Sequence, residues 1–191
     1  WPPPIRSYFT VIAVPDGYNT EQFLSKRGWE DIADQTQEGL FILEPGAGGW
    51  GSATDESAYV TAAMSFYIAN GYFSIFGEHY LVGYGAGAPP LEAWAAANPL
   101  KVISQVYVDS KGLPASHFVP YYTKVYDGTT APGYTTVVFP AGFQLLTYAE
   151  TVLPTWYINP EGTISDSLTY WKDANDCVDR SQRDRVLGHL C

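Results

Sequence analysis

At 191 residues the chain is long enough for one domain with a substantial core and too short for two. Its 20 acidic residues against 10 basic give a formal charge of −10, which excludes nucleic acid and anionic membrane surfaces, because no basic stripe exists to displace counterions from phosphates. Only 16% of residues are charged and as many are aromatic, so much of the surface must be uncharged polar or aromatic, a pattern that suits a secreted protein binding neutral polymers or other chains.

Trp1-Pro2-Pro3-Pro4 reads as a stiff extended entry, without the charged and apolar regions of a signal peptide. Residues 6–14, rich in β-branched and aromatic side chains, predict a strand that stops at Pro15-Asp16-Gly17. Residues 20–37 predict a helix in two pieces broken at Gly28, with Phe23, Leu24, Trp29, Ile32 and Ala33 on the buried side. Residues 39–43 form a short continuous apolar run of the kind buried on both faces, ending at Pro45 and a glycine-rich loop over 46–51. Asp55 is the expected N-cap of the next helix, where Ala58, Tyr59, Ala62, Ala63, Phe66 and Tyr67 recur at helical spacing.

A strand over 78–82 leads into Gly83-Tyr84-Gly85-Ala86-Gly87 and then a helix-like run over 91–97. This pentapeptide has the form of a nucleophile elbow, G-x-S-x-G, in which a serine sits on a sharp strand-to-helix turn with its hydroxyl exposed. The outer glycines are present at 83 and 87, but Gly85 stands at the position of the attacking atom. Another apolar strand covers 102–108. Residues 119–139, with several tyrosines around Asp127-Gly128, predict a β-hairpin or extended excursion. A last strand over 153–159 precedes a helix over 165–175. Strands alternating with helices imply a single α/β domain, 1–191, with a mostly parallel sheet and helices on both faces.

Three scattered histidines (His79, His117, His189) and the absence of a Cys-x-x-Cys leave no metal site to expect, and no cofactor motif is present. Cys177 and Cys191 are free to pair with each other, with another segment or with another chain.

Four phrases add a resemblance. Val11-Ile12-Ala13-Val14-Pro15-Asp16-Gly17 is similar to a strand and loop that usually read V-V-x-L-H-G. Residues 28–45, with Gly28-Trp29, Ala33-Asp34 and Gly39-Leu40-Phe41 in them, are similar to T-G-W-x-x-L-A-D-x-x-G-F-x-V-V-Y-P. Residues 80–87 are similar to Y-V-T-G-x-S-x-G, and residues 170–177 to F-W-x-x-x-N-G-C. Occurring in this order over about 9–177, they resemble the esterase/polyhydroxybutyrate depolymerase group of the α/β-hydrolases, which includes feruloyl and acetylxylan esterases. The resemblance implies an α/β-hydrolase-like sheet, trimmed at both ends against the family pattern.

It also implies a serine nucleophile, a histidine base and an orienting acid. Gly85 replaces the serine. The loop that would stabilise the oxyanion, Asp16 and Gly17 together with Ala86 after the elbow, carries Pro15-Asp16 in place of Leu-His; proline donates no N–H and a carboxylate would repel the developing charge. Glu161 or Asp166 could serve as the acid, Glu161 being the nearer, and His189 is the base candidate; Glu161 and His189 each have a plainer reading as a solvated loop or helix-end residue. Ser104 and Ser110 are the alternative hydroxyls, neither with a recognisable base.

The resulting expectation is a catalytically impaired, esterase-like protein, extracellular or periplasmic, serving as a binding or assembly module. Trp50, Tyr84, Tyr121 and Tyr122 are its candidate aromatic platform for polyester, polysaccharide or another chain. The alternatives are a carboxylester hydrolase completed by another chain or segment, and a structural extracellular subunit.

Overall fold

The structure, a computed structural model, describes residues 8–69, 78–118, 123–125, 136–138, 153–162 and 164–175. Strands β1 (Phe9–Ala13), β2 (Gly39–Leu43), β3 (His79–Tyr84), β4 (Val102–Val108) and β7 (Thr155–Ile158) build one five-stranded sheet in the order β2-β1-β3-β4-β7, parallel throughout. Two further strands, β5 (Thr123–Val125) and β6 (Thr136–Val138), pair antiparallel within the tyrosine-rich excursion. The protein is therefore an α/β fold with an all-parallel main sheet.

Parallel strands need covered faces, and two apolar clusters supply the cover. On one face Ile12, Val14, Leu40, Val82 and Tyr84 pack under α1 (Thr20–Lys26) and α2 (Trp29–Thr36) through Phe23, Leu24 and Ala33. On the other, Val11, Ala13 and Leu81 meet α3 (Ser57–Ala69), α4 (Ala88–Ala97) and α5 (Ser165–Ala174) through Val60, Met64, Leu91, Trp94 and Trp171.

Gly28, at φ +74°, separates α1 from α2 as the sequence predicts, and Asn19 caps α1 by accepting from Gln22 N at 3.0 Å. Several local expectations shift. Ile32 lies on the outer side of α2, because Ala33 takes the inward position. β2 is an edge of the described sheet, so Phe41 and Ile42 are only half-buried.

Asp55 is not the N-cap ahead of α3. Ser52 Oγ accepts from Asp55 N at 3.2 Å, while Asp55 Oδ2 accepts from Ser52 N and Oγ, so Ser52 caps the turn and Asp55 answers it three residues on. The buried stripe of α3 is Val60 and Met64, with Ala63 beside it. Ala58, Tyr59, Ala62 and Phe66 face outward. An alanine-rich helix gives little contrast between its faces, and the two large aliphatic side chains four residues apart set its phase.

Candidate functional site

In an open parallel sheet, connections leaving a central strand to opposite sides open a crevice at the carboxyl ends of the strands. Here β1 has β2 on one side and β3 on the other, so the crevice lies where the loop after β1 meets the turn after β3. Those two segments are Pro15-Asp16-Gly17 and Gly85-Ala86-Gly87.

The turn has the geometry that an elbow requires. Tyr84 is still extended (φ −116°, ψ 133°), Gly85 flips to φ +53°, and one 3₁₀ turn, Gly85–Gly87, runs directly into α4. Pro89 and Pro90 fit the first turn of α4, where a missing N–H costs no helical bond. A Cβ on Gly83 would stand 2.6 Å from Ala88 Cα, so strand and helix approach too closely for any side chain there. Gly83→Ala is accordingly expected to cost about 1–3 kcal/mol through overpacking, read as a lower urea midpoint; an unchanged midpoint would mean that α4 slides aside freely.

At Gly85 itself the only close neighbour of an added Cβ among the described residues is Pro15 Cβ, at 3.4 Å. The apex thus has room for a side chain and carries none.

The loop after β1 is committed elsewhere. Asp16 Oδ1 accepts from Trp50 N at 2.8 Å, which turns its carboxylate toward the glycine-rich 46–50 loop, itself closed by Gly49 N donating to Gly46 O at 3.0 Å. Trp50 Nε1 donates to Val14 O at 2.7 Å. A Cβ on Gly87 would lie 2.9 Å from that indole nitrogen and 3.0 Å from Val14 O. The Trp50 ring is therefore wedged between the end of β1 and the elbow, and only 9% of the residue is exposed. Gly17 (φ +75°) and Ala86 are exposed.

Tyr84 is also buried. Its hydroxyl accepts from Trp29 Nε1 at 3.1 Å, its ring meets Phe23 edge-on at 4.9 Å, and the Arg27 guanidinium lies 5.8 Å from its centroid. Burial pushes its phenol above the ordinary value, against the Trp29 hydrogen bond and the Arg27 charge, which act the other way. Trp50 and Tyr84 are thus core rings in this structure.

Glu161 follows β7 on the same edge of the sheet, exposed, with its backbone N donating to Ser110 O at 2.8 Å. Ser110 is fully buried and its Oγ accepts from Gly112 N at 3.0 Å, the local bond of a serine turn, while Ser104 lies within β4. Tyr121, Tyr122, His189, Cys177 and Cys191 lie outside the described residues.

Beside the elbow, the loops after β1 and β2 enclose an open groove of about 570 Å³, lined among others by Tyr18, Asn19, Glu21, Glu44 and Gly46. Tyr18 is 61% exposed there and braced edge-on against Phe23 at 5.6 Å. Sequence reasoning passed over this tyrosine, because an aromatic in a Gly-Tyr-Asn turn carries no periodic signal. It also passed over Glu92, the one charge in the apolar run of α4 and a fully buried residue.

Among the described residues no group of histidine, cysteine, aspartate and glutamate could hold a metal ion, and no helix is long and apolar enough to cross a membrane. Compared with protein families and with characterised proteins, the chain matches no family model and no characterised protein.

Proposed function

We propose that this chain is a catalytically impaired relative of the esterase/polyhydroxybutyrate depolymerase group of α/β-hydrolases, acting outside the cytoplasm as a binding or assembly module. One observation carries the proposal: a strand–turn–helix elbow whose left-handed apex is Gly85, a residue with no nucleophile to present. The loop after β1 supports it. Pro15 has no N–H to give, and Asp16 is committed to Trp50 N, so neither residue of this loop supplies a side chain to stabilise a developing negative charge. For the binding role, the groove with Tyr18 offers an exposed ring between acidic side chains, suited to a neutral polymer rather than an anionic one.

Hydrolysis of p-nitrophenyl acetate and butyrate by the native protein and by Gly85→Ser tests the catalytic half. Serine fits the space at Gly85, and its left-handed φ costs about 1–2 kcal/mol, so the variant is expected to fold. The native protein is expected to be inert and unlabelled by serine-hydrolase probes. Activity gained by Gly85→Ser would show that base and acid persist and only the nucleophile is gone. Inertness in both would place the loss in the β1 loop and the base as well. Clear turnover by the native protein would overturn the proposal. Retention on insoluble polyester or polysaccharide, or self-association in solution, is the expected sign of the binding role; an inert monomer that binds nothing would sink it.

A further inference from the structure

The strongest unexplained feature lies behind the elbow. Helix α4 is apolar along its length except for Glu92, which has no exposed surface. Its Oε1 accepts from Tyr157 Oη of β7 at 2.5 Å and from Trp171 Nε1 of α5 at 3.0 Å. Its Oε2 is buried and, among the described residues, has no hydrogen-bond partner. One carboxyl thus joins the helix that leaves the elbow to the last strand of the sheet and to the helix beyond it.

Two donors on one oxygen do not balance a full negative charge in a fully buried site. An unpaired buried carboxylate costs several kcal/mol, and such a group takes up a proton instead. The groups around Glu92 do not alter that balance. On β4, Tyr107 is fully buried and donates to Gln105 Oε1 at 2.6 Å, and Gln105 Nε2 donates to Thr155 Oγ1 at 2.7 Å. On β7 the facing group is Tyr157. On α5 Ser167 accepts from Leu113 N at 2.8 Å and Asp166 accepts from Ala115 N at 2.9 Å, while Tyr170 stacks on Phe118 and Lys172 is half-buried. On the α3 side, Tyr59 accepts from Glu44 N and Glu56 from Gly51 N. On β3, Tyr84 is engaged with Trp29 on the opposite face of the sheet, His79 is buried at the far end of the strand and Tyr80 is half-buried, and the turn after α4 carries Lys101, exposed.

We propose that Glu92 is a proton-dependent clamp: as a neutral acid it locks α4 to β7 and α5, and on ionisation it releases α5 together with the 110–118 segment that α5 holds. The second half follows from the connections of α5, since Asp166 and Ser167 tie it to Ala115 and Leu113 at the carboxyl edge of the sheet. Burial displaces the Glu92 carboxyl upward, with the hydrogen bonds from Tyr157 and Trp171 opposing it, so the clamp is closed in acid and opens as pH rises. The clamp is independent of whether the elbow is catalytic.

Hydrogen exchange of 110–118 and 164–175, corrected for intrinsic rates and followed from about pH 5 to about pH 9, tests it against Glu92→Gln. The native protein is expected to lose protection in both segments with rising pH, up to about tenfold per pH unit while the carboxyl titrates. Glu92→Gln, a neutral mimic of the protonated acid, is expected to be flat. Equal slopes in the two proteins would overturn the proposal. Should Glu92→Gln fail to fold, infrared spectroscopy of the native protein decides. A protonated-carboxyl band persisting above pH 4.5, the ordinary value, and shifted by Tyr157→Phe is expected; no such band, or one indifferent to Tyr157, would overturn it.

Discussion

Trp50→Ala is expected to lower the unfolding free energy by about 3–5 kcal/mol, a fall of roughly 10 °C in Tm for a chain of this size. The indole fills the space between the end of β1 and the elbow turn, and its N–H is the partner of Val14 O, on a residue with no exposed surface. Removing the ring leaves a cavity and an orphaned carbonyl together, two penalties with separate physical origins. Trp50→Phe keeps most of the packing and loses only the bond to Val14, so it should cost about 1–2 kcal/mol. The contact between Asp16 and Trp50 N is to the backbone and survives both changes. A ligand-stacking tryptophan would behave in the opposite way, with unchanged Tm and weakened polymer binding. That outcome would return Trp50 to the surface and remove one support from the account of the β1 loop.

The elbow was legible in the sequence because its constraint is local. A strand, a turn too tight for side chains and a helix leave glycines at fixed offsets, and Gly83, Gly85 and Gly87 fall where close approach and a left-handed φ require them. The alternation of strands and helices was legible for the same reason, as was the break at Gly28. Less visible was the direction in which a side chain turns once several elements converge. Trp50 and Tyr84 looked like surface aromatics, because a glycine-rich loop and an elbow tip are usually exposed. Each is instead claimed by a partner 36 or 55 residues away, Val14 O and Trp29 Nε1. Glu92 was hidden in the same way: its partners lie 65 and 79 residues further along the chain. Ser52 and Asp55 mark the intermediate case, where the residue types of a cap were visible but the order of their roles was not.

These long-range partners share one consequence. The three groups that the sequence left at the surface or overlooked now brace the elbow from three sides: Trp50 from the β1 loop, Tyr84 from the α1 and α2 face, and Glu92 from behind α4. A turn supported this way holds its shape whichever residue stands at its apex. On the proposed reading of a catalytically impaired relative, that bracing makes Gly85→Ser an informative substitution rather than a disruptive one.

Acid is expected to destabilise the native protein through His79, by up to about 3 kcal/mol between pH 6.5 and about pH 4. His79 opens β3, has no exposed surface, and its imidazole is held down to about 4 by burial, with the Lys101 charge adding to the effect. In the unfolded chain the ring takes up a proton near its ordinary 6.5, whereas the folded protein resists until the pH is far lower. Its stabilising contribution is therefore complete above 6.5 and drains away as pH falls toward 4. Glu92 runs in the other direction: its carboxyl is displaced upward from 4.5, so its contribution is complete below that value and is lost as pH rises through the folded-state pKa. The two slopes oppose each other where they overlap, above pH 4.5 and below 6.5, and there a native-protein titration alone shows only their difference. Urea titrations of His79→Leu and Glu92→Gln separate them. His79→Leu should lose the acid-side fall and become steadily more stable as pH drops toward 4.5, while Glu92→Gln should keep the acid-side fall and show it more steeply. If His79→Leu declines in acid as the native protein does, the imidazole is not the group that titrates, and the acid sensitivity belongs to the carboxylates of the surface.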